Sequence, residues 1–454
     1  MSEFLFDEFQ PVSAKQWKQK IQYDLKGADY NEALVWQSNE GIHVKPFYHN
    51  DDFKEDFSPV PGHPESWKIG QHVFIDDEVI ANRIALDTIA RGAEAIVFTS
   101  EGPFAIEKVF SGFPFEKTTI YFEWRFLSEE FILQLKQFLS AKKASVFYNI
   151  DLIGNLTRSG NWFQNMNRDH EILEVLLQKN PSENILSIDT TGYQNSGANI
   201  IQQLAYGLAH ANEYLNHFQK NPSLKFNFQF AIGSNYFFEI AKIRAFRRIF
   251  AVLAKEYSIN ETCHLTAFPS KRNKTLYDYN VNMLRTTTEC MSAVIGGANT
   301  ICNLPYDAIY HKSNEFGERI SRNQLLILKA ESYFDAVSNP ADGTYYIESL
   351  TTELAEKALA LFKEIETAGG FLKLLKESTI QRKISESAQK EQQQFDTGDL
   401  ILVGTNKYQH PKDLMKENLE LFPFLKIKNR KTIIQPIIEK RLAEKVEQER
   451  LNNE

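Results

Sequence analysis

Cysteine is scarce in this chain: Cys263, Cys290 and Cys302 are the three in 454 residues. An odd number without C-x-x-C spacing excludes a disulfide framework and argues against a zinc site, so each reads as a small buried apolar residue in a reducing compartment. Long apolar runs are also missing. None approaches the roughly 18 residues of a membrane span, and the opening segment from Met1 to Phe9 carries acids where a secretory leader needs bases. A cytoplasmic location, with no membrane partner, is expected. Nor is there a surplus of positive charge. Net charge is -8, with 51 Lys and Arg scattered among 59 Asp and Glu, so no chain-wide field exists to hold a phosphate backbone and nucleic acid is not expected as a partner. No internal repeat or low-complexity tract is evident.

What is present suits a large packed protein. Hydrophobic residues make up 43% and charged residues 24%, with 34 Phe supplying bulk for a core. The length allows two or three domains, or one large barrel with extensions. Residues 1–60 read as an amino-terminal arm. In it Trp17, Ile21 and Leu25 fall four apart, with Ser13 as N-cap and Gly27 as stop, which predicts one amphipathic helix. Such an arm must dock, on the body of its own chain or on a partner subunit.

Residues 61–375 alternate short strand-like runs with helical ones. The strands are expected at Trp67 to Phe74, Ala95 to Thr99, Thr118 to Trp124, Ala144 to Asp151, Asn184 to Asp189, Lys225 to Ile232, Thr262 to Phe268 and Ala298 to Leu304. Helical patterns intervene at Asn161 to Leu177, Ala198 to His217, Asn235 to Lys255 and Asp278 to Ile295. The count predicts an α/β fold, a TIM-type (β/α)8 barrel followed by a connector. One strand face is polar: Tyr121 with Glu123, Asn149 with Asp151, Ser187 with Asp189, Asn227 with Gln229, and His264 with Thr266. These are bulky for an open channel. A closed hydrogen-bond network is the favoured reading, with a ligand passage as the alternative.

Residues 376–454 are expected to form a helical and linker tail. Ser378 to Gln394 reads as a solvated helix, Lys426 to Lys431 as a solvated basic connector, and Ile437 to Glu454 as a charged helix. Within the barrel, Gly296-Gly297 reads as a helix stop. Arg244, Arg247 and Arg248 read as an exposed or subunit-facing row of ion pairs.

Chemistry is expected in the stretch from Ser187 to Leu208, where a short apolar strand enters a Gly-containing turn and then a long helix. Parallel α/β folds place their sites at the carboxyl ends of strands. The turn holds Tyr193-Gln194, with no histidine, carboxylate or thiol adjacent.

Several segments, taken in order, resemble the cobalamin-dependent acyl-CoA mutases of the methylmalonyl-CoA mutase type. They are Leu25 to Gly27 with Leu34 to Ile42, Asp151 to Gly154 with Thr157 to Trp162, Gly192 to Tyr214, Asn235 to Arg248, Arg285 to Gly297, and Arg319 to Ser332 with Tyr345-Tyr346. The resemblance implies a barrel threaded by the coenzyme A tail, a cobalamin domain with an Asp-x-His-x-x-Gly motif, and a Tyr-His turn at the substrate thioester. This sequence departs from each. None of its ten histidines has Asp two residues earlier. Gln194 stands where the family has histidine and cannot act as an acid near neutral pH. The family's Arg-Gly-Pro-Tyr segment is replaced by Pro64 to Gly70. His264 matches a family histidine near the substrate, but Thr266 replaces the glutamine two residues on, and a paired barrel histidine is the favoured reading.

The departures imply the small, non-catalytic subunit of the bacterial heterodimers. It would have no catalytic residue, with Tyr193, Gln194 and His264 as degenerate positions, and no cofactor or metal of its own. Adenosylcobalamin would sit in a homologous large subunit that interconverts (R)-methylmalonyl-CoA and succinyl-CoA. The alternative is an acyl-CoA-binding barrel that works with a separate cobalamin-domain protein. A free-standing binding or chaperone module is a third reading.

Overall fold

The computed structural model describes residues 8–53, 57–179, 183–218, 221–426 and 429–454. The acids at the extreme amino terminus, and part of the 426–431 basic run, lie outside these. Eight parallel strands close into a barrel: β1 (Lys68–Phe74), β2 (Ala95–Ser100), β3 (Thr119–Trp124), β4 (Ser145–Ile150), β5 (Asn184–Asp189), β6 (Phe226–Ile232), β7 (His264–Pro269) and β8 (Thr300–Cys302). They pair in sequence order, and β8 returns to β1 with Ile301 opposite Ile69. The predicted strands agree with these to within two residues at each end. Only the pleat-alternating, β-branched and aromatic runs had the length and turn boundaries to be strands.

The apolar core lies between strands and helices. Phe98, Phe122, Ile188 and Phe228 point outward from their strands and are fully buried. Against them pack α4 (Ile200–His217), α5 (Tyr236–Glu256) and α6 (Val281–Gly296), which follow the predicted helices closely. α6 ends at Gly297 with φ +93°, a conformation open to glycine, so the helix stop is borne out. The helix predicted over Asn161 to Leu177 starts only at Met166, and an unpredicted helix, α2 (Leu152–Ser159), stopped by Gly160, precedes it. Between them the Asp169 carboxylate accepts the Phe163 and Gln164 N–H groups at 2.8 and 3.1 Å, holding the chain out of helical geometry.

Outside the barrel, α1 (Ala14–Asp24) carries the expected Ser13 cap, reciprocated by Gln16, yet buries none of its residues. α7 (Tyr345–Thr367) packs on α4 and α5. The arginine row on α5 differs from expectation. Arg244 and Arg247 are fully buried: Arg244 pairs with Asp342 at 2.6 Å and Glu348 at 2.5 Å, and Arg247 donates to the Cys263 and Gly297 carbonyls. The connector brings acids 98 and 104 residues away onto this helix face, which sequence spacing could not reveal. The polar helix α8 (Thr379–Thr397) is only partly solvated, since it buries Ile380, Ile384 and Phe395.

The tail departs most. Only α9 (Glu444–Asn452) of the expected 437–454 helix forms. The preceding segment runs extended over the carboxyl end of the barrel as a strap. Its Ile434 and Ile437 are buried, and its backbone N–H groups donate to Gly160 O, Thr157 O, Asn195 O and Arg272 O. Each backbone group that finds a barrel carbonyl is withdrawn from an intrahelical bond.

Candidate functional site at the barrel mouth

The barrel axis is filled at its lower end. The Tyr121 and Phe147 rings stack 4.7 Å apart, and the His264 ring lies 4.2 Å from Phe147. Tyr121 OH is 2.8 Å from His264 Nε2 and 2.7 Å from Thr300 Oγ1. Ala95, Val97, Cys302 and Phe268 close around this layer. His264 opens β7 at the amino-terminal side of the barrel, whereas Tyr193 follows the carboxyl end of β5, so the two candidate residues are not brought together. Burial, then the Arg247 and Lys68 cations, lower the His264 pKa to about 3, so the imidazole stays neutral. A second chain of bonds climbs the axis: Thr266 Oγ1 donates to Asn227 Oδ1 at 3.0 Å, and Asn227 Nδ2 to Asn149 Oδ1 at 2.9 Å. The favoured network reading therefore describes this part of the interior.

At the mouth, Asp151 is the central acceptor. It caps α2 through Gly154 N–H at 2.8 Å, takes Asp189 N–H at 2.8 Å, and faces His210 Nε2 at 2.9 Å and Tyr214 OH at 3.0 Å. Burial alone would raise its pKa. The His210 imidazole and the backbone donors outweigh burial and hold it below the usual aspartate value. The other ring nitrogen of His210, Nδ1, lies 3.1 Å from the Tyr193 hydroxyl. Tyr193 is 1% exposed, and burial followed by the Asp151 and Asp189 carboxylates keeps its phenol protonated. Its hydroxyl is thus held in the wall, against His210. Gln194 lies on α3 (Thr191–Asn195), its amide against Gly233, and its Oε1 is buried without a partner.

Between this mouth and the strap is a cavity of about 750 Å³, lined by Gly192, Tyr193 and Asn195 of the turn but not by Gln194. Arg125, Arg158, Lys271 and Arg272 line it from the barrel and Arg430 from the strap. Lys271 pairs with Glu439 at 3.4 Å, and Arg272 with Glu391 at 2.5 Å. Arg158 has a single hydrogen bond, to Asn155 Oδ1, and Arg125 has no side-chain partner among the described residues. Desolvation, then the adjacent Arg125 cation, lower Arg158 from its ordinary value. A smaller space of about 50 Å³ lies beneath, bounded by Glu123, Asn149, Asp189 and Gln229. Asp151 lines it too, and the other two carboxylates are pushed apart. Burial raises Asp189, while at Glu123 the His72 and Arg125 charges outweigh burial and lower it.

Sequence reasoning missed Arg125, Arg158 and the strap. The available signal was a cation just past a strand, Arg125 after Trp124 and Lys271 after Pro269-Ser270. No histidine lines the cavity. Its donor set of guanidinium and ammonium groups cannot supply cobalt with the axial imidazole that the family's motif carries, so these residues do not fit cobalamin.

A closed (β/α)8 barrel with a polar cavity at the carboxyl ends of its strands defines the class in which enzymes of this architecture hold their ligands. The chain belongs to the methylmalonyl-CoA mutase family, whose model matches residues 125–452. It is 34% identical over 448 residues to the methylmalonyl-CoA mutase small subunit of Porphyromonas gingivalis, covering 89% of this chain and 71% of that protein. It is 28% identical to the methylmalonyl-CoA mutase of Rhizobium meliloti, covering 87% and 64%, and 27% identical to the mitochondrial human enzyme, covering 90% and 62%. Against these last two the chain thus spans less than two thirds of the relative's length. Among the described residues no helix is long and apolar enough to cross a membrane.

Proposed function

We propose that this chain is the accessory, non-catalytic subunit of a methylmalonyl-CoA mutase, working beside a homologous large subunit that binds adenosylcobalamin. The observation that carries the reading is the aromatic layer of Tyr121, Phe147 and His264 across the axis, where a coenzyme A tail would have to pass. The turn at Tyr193-Gln194 supports it. Its phenol is committed to His210, and its amide can neither give nor take a proton at neutral pH. The small-subunit name of the Porphyromonas relative points the same way.

The work of such a chain is to bury an apolar face of its partner and fix that partner's geometry, through an interface typically on the order of 2,000 Å² or more. The arm of residues 1–60 is the candidate contact. Trp17 is 49% and Tyr23 80% exposed on a helix with no fully buried residue, and exposed apolar side chains of this kind are a common mark of a docking surface. Residues 61–375 would be the rigid barrel body and 376–454 its covering tail.

Calorimetric titration of the purified chain with methylmalonyl-CoA and succinyl-CoA, alone and with the co-expressed large subunit, tests the reading. The expected result is no saturable thioester binding by the chain alone and co-purification with a large subunit that carries all the cobalamin. Tight thioester binding, with turnover on adding a cobalamin-domain protein, would instead establish the split-mutase alternative.

A further inference from the structure

The Arg125 and Arg158 guanidiniums are cations of the mouth without a direct ion pair. They line both the 750 Å³ cavity and the smaller space beneath it, and neither forms an ion pair with a described carboxylate. The other barrel cations there are neutralised locally, Lys271 by Glu439 and Arg272 by Glu391. Two like charges held side by side cost electrostatic energy that the floor carboxylates Glu123, Asp151 and Asp189 offset without direct contact, and the planar fork of a guanidinium matches carboxylate or phosphate oxygens.

A second observation lies in the floor. Asn149 is 6% exposed, its Oδ1 is used by Asn227, and its Nδ2 is buried with no partner. It also sits at φ +50°, in the left-handed region, where the β4–β5 register shifts between Phe147 and Ile150. Asparagine is one of the few side chains that tolerate this conformation, and its cost is commonly retained where the side chain has a task. An unsatisfied buried amide donor is expensive, roughly 1–3 kcal/mol, and a ligand acceptor would remove that cost. The floor carboxylates Glu123, which accepts from Thr99 Oγ1, and Asp189, which accepts from Thr191 N and Oγ1, have further lone pairs for donors on the same molecule.

We propose that the barrel mouth binds a small hydroxylated dianion, its anionic group between Arg125 and Arg158, its hydroxyl groups facing Asp189 and Glu123, and the strap as its roof. The ligand is a free acid or phosphate ester and not a coenzyme A thioester, because the axis below is filled. The inference does not rest on the accessory-subunit reading, since a free anion enters from the mouth whatever partner the chain has.

The test is calorimetric titration of the full chain with malate, as the carboxylate probe, and glycerol 3-phosphate, as the phosphate probe. Succinate, which lacks the hydroxyl, serves as control. Saturable binding of one probe is expected, weakened about tenfold or more in R125Q and in R158Q, as fits loss of one charge-assisted pair. Asn149→Asp keeps the Oδ1 acceptor and the backbone preference but replaces the free donor with a repelling carboxylate, and should weaken binding similarly. Circular dichroism and melting temperature establish that each variant is folded, and should N149D fail that check, the two arginine variants decide alone. Absence of binding of both probes at millimolar concentration overturns the proposal. Binding unchanged in R125Q and R158Q, or equal for malate and succinate, overturns it as well.

Discussion

The two ends of this barrel are built on opposite principles. At the lower end bulky rings meet, and their polar atoms satisfy one another: Tyr121 with His264 and Thr300. At the mouth, donors are left over, on Arg125 beside the 750 Å³ cavity and on Asn149 Nδ2 in the smaller space beneath it. The same fold and the same inward-facing pleat serve both ends. What differs is whether side-chain volume consumes the axis, and once it does, hydrogen bonding closes on itself.

The contrast can be broken most forcefully at its closed end. Tyr121→Ala should cost about 3–5 kcal/mol, the usual range for emptying a buried aromatic site, read from urea unfolding. A loss under ~1 kcal/mol would mean the axis is not packed. Next in size is the hub of the mouth. Asp151→Asn should cost roughly 1.5–3 kcal/mol at neutral pH, because it weakens hydrogen bonds made to a charged group. The sign of the pH dependence follows from its lowered pKa. The stabilisation is complete above the ordinary value of 3.8 and is lost as pH falls through the lower folded value, so wild type and variant should converge in acid. A constant difference down to the acid unfolding limit would contradict that.

His264 sharpens the comparison more gently. The unfolded chain takes up a proton below 6.5, while the folded imidazole stays neutral down to about 3. This one group should therefore lower stability as pH falls through that window, by about 1.4 kcal/mol per pH unit. In His264→Gln that part of the slope should vanish, measured by urea titrations at several pH values. The smallest effect is expected outside the barrel. Trp17→Ala should change the stability of the isolated chain by less than ~0.5 kcal/mol, as for exposed sites generally. In co-purification the same change should deplete the large subunit, and full recovery of the complex would remove the arm as the contact.

The eight strands and the barrel they close were legible in the sequence because period-two runs bounded by turns are local signals. So was the capped helix of the arm. Arg244 was misplaced because the acids that pair with it, Asp342 before α7 and Glu348 on it, lie about 100 residues downstream, and Arg247 because it donates to the Cys263 and Gly297 carbonyls. The tail was misplaced for a related reason. Its charged residues suit a helix locally, yet barrel carbonyls at Thr157, Gly160 and Asn195 capture its backbone. By itself, then, the sequence determined which residues face the barrel axis and that Tyr193-Gln194 occupies the turn after the strand. Only the tertiary structure decided that the Tyr193 hydroxyl meets His210, that aromatic rings meet across the axis, and that Arg125 and Arg158 form no direct ion pair among the described residues, because each depends on which distant groups come within a few ångströms.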